Sequence, residues 1–397
     1  MNRIGESKNH DWTLIAILYV LFPIFGMFDG IRGTMAVEIK DYFGVNYTAV
    51  GAMMTFGTLG WTAGCFLSGL LAERKGQRPV ILFGVLTASI SLIILRFANS
   101  FAGVCILLFV ILFSFGCFEI GSSIITRLGI KHVPVLLSLF IFSYSAGNII
   151  GPFYASRLIS AGQSWQQAFS YLAIPLVVCL ILILVSAKRR SSALRQPAGH
   201  VKMNWNVFRS KFLWLLMIML GLAVAIEFNM VSWLVIYLQD VAGYTFLESS
   251  NLLSYYFIVF AAGRFAGGYI IHKIGWQRTL IIMSTLMLVL FVPGVILGQA
   301  GVWLFIGFGF CTSVVFPTIL IAVSGIFKQH ITPIMGIVIA SAGCINLIFS
   351  YLIGLISDLL GVIFGFCIIA VCSLLIIVFA LIVVRLKSIR HDDMIEI

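Results

Sequence analysis

Gly64-Cys-Phe-Leu-Ser-Gly-Leu-Leu-Ala-Glu-Arg-Lys-Gly76 begins in an apolar run and ends in a basic turn. The chain repeats this pattern 199 residues later as Gly263-Arg-Phe-Ala-Gly-Gly-Tyr-Ile-Ile-His-Lys-Ile-Gly275. At that one offset Gly44, Gly64, Phe66, Gly69 and Gly76 pair with Gly243, Gly263, Phe265, Gly268 and Gly275. A repeat on this scale implies two parallel halves related by an axis along the membrane normal, an arrangement that transporters use and that a channel or receptor does not need.

Composition says what each half is made of. Of 397 residues, 61% are hydrophobic and 10% charged, against about 25% charged in an ordinary soluble domain. Apolar runs recur at 12–37, 47–72, 79–98, 101–126, 133–158, 167–187, 212–238, 248–271, 279–298, 302–326, 331–357 and 361–384. Each is long enough to cross a bilayer as a helix. Backbone groups in hydrocarbon must be satisfied within the segment, so runs of this kind are helical. The expected class is an all-α polytopic membrane protein with twelve spans. Its units are an N-terminal bundle (1–187), a basic cytoplasmic linker (188–211) and a C-terminal bundle (212–397).

The net charge of +11 reports topology and gives no reason to expect a nucleic-acid partner. Threading twelve spans from a cytoplasmic N-terminus puts most Lys and Arg on the cytoplasmic side, leaving only Lys40, Arg96 and Arg157 outside. This bias sets the expected orientation, multi-pass in the cell membrane with both termini cytoplasmic. The first apolar run is too long for a signal peptide and lacks a small-residue cleavage site, so it is expected to be retained. All eight cysteines lie in the spans without a CxxC pair and read as small packing residues. No metal or cofactor is expected. There is no GxxxxGK[ST], HExxH or GxSxG sequence, so neither ATP hydrolysis nor other enzymatic chemistry is expected.

Three acidic residues sit deep in spans: Asp29, Glu119 and Glu227. A charge at such depth costs a few kcal/mol or more and normally faces a bundle interior or a water-filled path. Glu119 shares a helix face with Ser122, Ser123 and Thr126, at i+3, i+4 and i+7. We read it as a proton carrier; the alternative is a permanently protonated carboxyl bonded to a neighbouring helix. Asp29 and Arg32 are one turn apart and either neutralise each other or leave Arg32 to tune Asp29 or meet an anionic substrate. In span 7, Asn229, Trp233 and Tyr237 share a face, while Glu227 lies about 200° from Asn229. Either the helix unwinds there or the two residues serve different purposes. Trp233 suits stacking on a sugar ring, and Asn148 and Asn346 suit hydroxyl recognition at central depth. Each of these also has a packing explanation, since aromatics fill helix interfaces and buried Asn joins helices.

The turn Gly69-Leu-Leu-Ala-Glu-Arg74-Lys-Gly76-Gln-Arg78 resembles the loop 2–3 signature of the major facilitator superfamily, with Glu73 where Asp is usual. Gly116-Cys-Phe-Glu119, Gly147-Asn-Ile-Ile-Gly151-Pro152, Glu227 with Trp233 and Tyr237-Leu238, Gly263-Arg264 and Phe316-Pro317-Thr318 resemble its fucose–galactose–glucose:proton symporter branch. The resemblance implies the major facilitator fold, with two pseudo-symmetric six-helix bundles working by alternating access. It also implies a proton role for Glu119 and, less directly because the position is displaced by about a turn, for Asp29. The expected substrate site is Glu227, Asn229, Trp233, Asn148, Asn346 and Arg32. The expected gating set is Gly69, Glu73, Arg74, Gly76 and Arg78, with Arg264 bonding to helix ends near the cytoplasmic side. The function expected is proton-coupled symport of a neutral sugar or similar small polar solute, by a monomer whose partners are that solute, protons and lipid. Two transport alternatives stay open. Gly147 to Pro152 also resembles the fifth-helix pattern of antiporters that export amphipathic compounds, and Arg32 with Arg264 would suit an organic anion. A non-transporting receptor on the same fold is disfavoured by the three intact buried carboxylates.

Overall fold

A computed structural model describes residues 12–119, 133–186, 208–327 and 331–389, and every regular element among them is helical. The long helices are α1 (Trp12–Thr34), α2 (Tyr47–Lys75), α3 (Gln77–Leu95), α4 (Phe101–Gly116), α5 (Val133–Ser160) and α6 (Ala173–Ser186) in the first half. The second half holds α7 (Lys211–Asp240), α8 (Phe246–Ile274), α9 (Trp276–Ile296), α10 (Val302–Ile326), α11 (Ile331–Leu360) and α12 (Val362–Ile389). Eleven described helical stretches are long and apolar enough to cross a membrane. The remaining expected span, 133–158, is the 28-residue α5. The expected linker lies almost wholly outside the described residues.

The repeat is visible in the backbone. Helices α2 and α8 both stop at a glycine with positive φ, Gly76 at 90° and Gly275 at 81°, where a side chain would be strained. Gly64 and Gly263 occupy matching close approaches: a Cβ at Gly64 would collide with the Phe113 carbonyl of α4, and one at Gly263 with Ser313 and Phe310 of α10. In lipid no hydrophobic force draws helices together, so small residues that let backbones meet do much of the packing.

Helix pairing repeats as well. Within the halves, α1 lies along α5 as α7 lies along α11, α2 along α4 as α8 along α10, and α3 along α6 as α9 along α12. Between the halves, α2 packs on α11 and α8 on α5, each the image of the other. The two bundles are therefore pseudo-symmetric and meet along a seam made by α1, α2 and α5 on one side and α7, α8 and α11 on the other. We call the end that carries the turns at 73–78 and 273–278 the basic end and the opposite one the distal end.

Of the run 101–126 the described part, Phe101–Glu119, is long and apolar enough to cross a membrane; in it α4 ends at Gly116, and Cys117–Glu119 form a tighter 3₁₀ turn. Gly116 sits directly against the α2 backbone at Trp61 and Cys65, where any side chain would collide. Ser122, Ser123 and Thr126 lie outside the described residues.

Candidate functional site: two ion pairs at the seam between the halves

Helix α1 contributes Asp29 and Arg32. Their spacing puts them on one face, and Arg32 Nη2 lies 2.6 Å from Asp29 Oδ1. Both side chains are almost fully buried, at 4% and 9% exposure for Arg32 and Asp29. Tyr144 of α5 donates its hydroxyl to Asp29 Oδ2 at 2.8 Å. The site is tight because glycines let α1 and α5 touch. Gly26 abuts the Tyr144 carbonyl, Gly30 abuts Pro152 and the Asn148 carbonyl, and Gly151 abuts the Met27 carbonyl. The Gly147-to-Pro152 pattern thus serves a helix crossing.

Helices α7 and α8 contribute the second pair. Arg264 donates from Nη2 to Glu227 Oε1 at 3.0 Å. This pair is more open: Arg264 is 29% exposed and Glu227 17%. The guanidinium lies 4.8 Å from the centre of the Phe260 ring, a cation–π distance. Next to Glu227, Phe228 meets Trp61 of α2 across the seam, with ring centres 6.1 Å apart. Trp61 is half-buried and its Nε1 has no hydrogen-bond partner among the described residues. Asp29 is close enough to Glu227 to act on it electrostatically, and Glu227 in turn is within electrostatic reach of Tyr144. One charged cluster therefore spans the seam, with one arginine–carboxylate pair from each half.

The expected site residues separate into groups. Asp29, Arg32, Glu227 and Arg264 come together. Asn229 and Asn346 come together elsewhere, with Asn229 Nδ2 donating to Asn346 Oδ1 at 3.1 Å and to the Ala225 carbonyl at 2.8 Å. Both are sealed between α7 and α11, at 1% and 0% exposure. Trp233 is 1% exposed, with Tyr47 as an aromatic neighbour at 6.5 Å. Asn148 is buried and donates to the Tyr144 carbonyl one turn back in its own helix. Helix α7 is continuous from Lys211 to Asp240, so of the two options for Glu227 and Asn229 the second holds: they face different partners. Arg264, expected to bond to helix ends in the inward-closed state, here reaches across to Glu227, more than two turns inside α8.

Glu119 is half-buried in the turn after α4, within electrostatic reach of Cys65 one turn below Trp61 on α2. At the basic end Arg78 donates from Nη2 to the Ile183 carbonyl of α6 at 2.7 Å, tying that turn to its own half. Arg74 is exposed, and a Cβ added at Gly69, as at its image Gly268, would find open space among the described residues. The Glu73 side chain lies outside the described residues. Sequence reasoning missed Tyr144, Trp61, Phe228 and Phe260. They are ordinary aromatics in a chain with 34 Phe and 12 Tyr, and only their neighbours distinguish them.

These features define a helical carrier with a charged centre between two matched bundles. Residues 17–330 match the Major Facilitator Superfamily, and the chain belongs to that family. It is a membrane transporter and not an enzyme. Among relatives, the chain is 22% identical over 287 residues to "Protein TsgA homolog" of Buchnera aphidicola subsp. Baizongia pistaciae (strain Bp), covering 72% of each. It is 21% identical over 310 residues to "Protein TsgA" of Shigella flexneri, covering 77% of each. Among solved structures, a bacterial homologue of the human lysosomal transporter Spinster in an inward-facing and occupied conformation superposes with a TM-score of 0.80. That match has 13% identity and covers 96% of this chain and 98% of the other. A D-xylose–proton symporter follows at 0.77 and 12% identity, covering 94% and 97%. At such identities these structures speak for the fold alone.

Proposed function

We propose that the chain is a proton-coupled symporter that moves a small polar solute by alternating access, the halves 1–187 and 212–397 rocking about the seam. The carrying observation is the Glu227–Arg264 pair, which is partly exposed among Trp61, Phe228 and Phe260 and backed by Asp29 and Arg32 from the other half. A neutral sugar, the solute class expected from the branch resemblance, would take hydrogen bonds from Arg264 and give them to Glu227 while a ring face lies on Trp61. Glu119 is the proton carrier in this reading, since its turn sits beside α2 at the level just below Trp61, and Asp29 is second. Orientation with both termini cytoplasmic, in the cell membrane, and a monomeric working unit complete the proposal.

One observation favours a second solute class. Among the described residues Arg264 has one carboxylate partner, at one hydrogen bond. A proton taken up by Glu227 would free the guanidinium to bind an organic anion, and proton and anion would then travel together. Export of amphipathic compounds gains less support, because the glycine-rich stretch of α5 is accounted for by its packing on α1.

Uptake into proteoliposomes with an imposed pH gradient tests this. Labelled sugars or organic anions are expected to accumulate against their gradient, and Glu119→Gln is expected to abolish the response to the pH gradient. Accumulation by Glu119→Gln with an unchanged pH response would overturn the proton assignment. Flow of amphipathic dyes into the proton-loaded side, against the proton flux, would overturn symport.

A further inference from the structure

A helix begins with N–H groups that have no partner within it, and something must accept from them. Helices α2 and α8 are images of one another, yet they solve this differently. Helix α8 is self-sufficient. The Thr245 side chain accepts from the Glu248 N–H at 3.3 Å, and the Glu248 carboxylate returns to the Thr245 N–H at 2.9 Å and its hydroxyl at 2.7 Å. Helix α2 has the matching cap, Asn46, which accepts from the Ala49 N–H at 3.0 Å. Where α8 has Glu248, however, α2 has Ala49. Its missing carboxylate arrives from the other half of the molecule. Asp358 of α11 accepts from the Tyr47 N–H at 2.9 Å, the Thr48 N–H at 2.7 Å and the Thr48 hydroxyl at 2.5 Å.

Asp358 belongs to the last turn of α11, where the helix dipole presents its negative end and disfavours a carboxylate. The positive end of α2 removes that penalty only when the two helices are docked. A second carboxylate is placed alike: Asp240, the final residue of α7, accepts from the Tyr47 hydroxyl at 2.7 Å. Below them the docking is intimate. A Cβ at Gly354 would meet the Tyr47 carbonyl and Gly51 Cα, and Thr55 donates across the seam to the Leu347 carbonyl at 3.3 Å. Among the described residues the image corner, α5 against α8, shows no such carboxylate from the opposite half: the position matching Asp358 is Ile159, and Phe153 meets Tyr255 as an aromatic pair at 5.9 Å.

We propose that Asp358, assisted by Asp240, is a latch that holds the distal end shut by capping α2 from the opposite half. The α2–α11 corner must release for that end to open, whereas α8 keeps its cap in every state. Because Asp358 is exposed and the α2 start half-buried at the surface, water replaces the lost bonds on release, which makes the contact reversible and not a permanent bolt.

The test measures the distance between the halves and needs no substrate. Spin labels on unnatural amino acids at the exposed positions Tyr42 and Leu297 leave the eight cysteines in place. In the purified full chain, Asp358→Ala is expected to give a several-fold larger long-distance population and faster hydrogen exchange of the amides at 47–49. Adding Ala49→Glu gives α2 the self-cap of α8. That double variant is expected to regain amide protection while keeping the long distances. A wild-type distance distribution in Asp358→Ala overturns the latch. So does its recovery in the double variant, since Asp358 would then act only as a local cap. Both outcomes are independent of whether the solute and proton assignments hold.

Discussion

The two ion pairs at the centre are made of the same chemistry and differ in what surrounds them. Asp29 and Arg32 belong to one helix, lie almost fully buried and have Tyr144 closing over them. Glu227 and Arg264 come from two helices and keep 17% and 29% exposure. A sealed pair has little freedom to exchange partners, because separating it leaves charge in a low-dielectric interior. A pair that is partly wetted and divided between two helices can trade one partner for a solute. The first pair therefore suits a pre-organised wall that opens only when Asp29 takes up a proton, and the second suits binding. The same contrast runs through the helix crossings. Glycines such as Gly147 and Gly151 bring α1 against α5, whereas α7 meets α11 through the Asn229–Asn346 bond.

The comparison breaks most visibly if Asp29 is removed. Asp29→Ala leaves Arg32 buried and unpaired, and a loss of about 3–5 kcal/mol is expected, seen as a large drop in thermal stability in detergent. Glu227→Ala is expected to cost clearly less, since Arg264 reaches water. Equal losses would erase the distinction.

Arg264→Lys should leave stability nearly unchanged and still abolish solute accumulation, because an ammonium does not reproduce the planar fork. Retained uptake would remove Arg264 from the binding role.

Gly147→Ala forces a Cβ into the Pro23 carbonyl of α1. Its expected cost is about 1–3 kcal/mol, the range for overpacking. Asn346→Ala, at the matching position in α11, is expected to cost only about 0.6–2 kcal/mol, as interhelical hydrogen bonds in membranes do. It should transport normally, because Asn346 and Asn229 are sealed away from the seam. Loss of transport with intact folding would return the asparagines to the substrate site.

What could be seen beforehand follows from range. Asp29 and Arg32 were visible as a pair because helical spacing alone brings i and i+3 together. The partnership of Glu227 and Arg264, 37 positions apart, depends on where α8 lies against α7. Trp233 and Asn229 looked like binding residues because their spacing gives a polar–aromatic stripe. That stripe faces α11 and Tyr47, and no periodicity in a single helix states which neighbour a face will meet.

The sequence by itself determined the helices, their number and their duplication. Bilayer thickness dictates the length of each apolar run, and paired glycines at one fixed offset mark two copies of one unit. Tertiary structure alone decided which polar groups meet at the seam, which are sealed inside a half, and that α2 takes its capping carboxylate from the opposite bundle. Local rules act over a few residues of one helix, whereas these choices are settled by contacts between helices far apart in the chain.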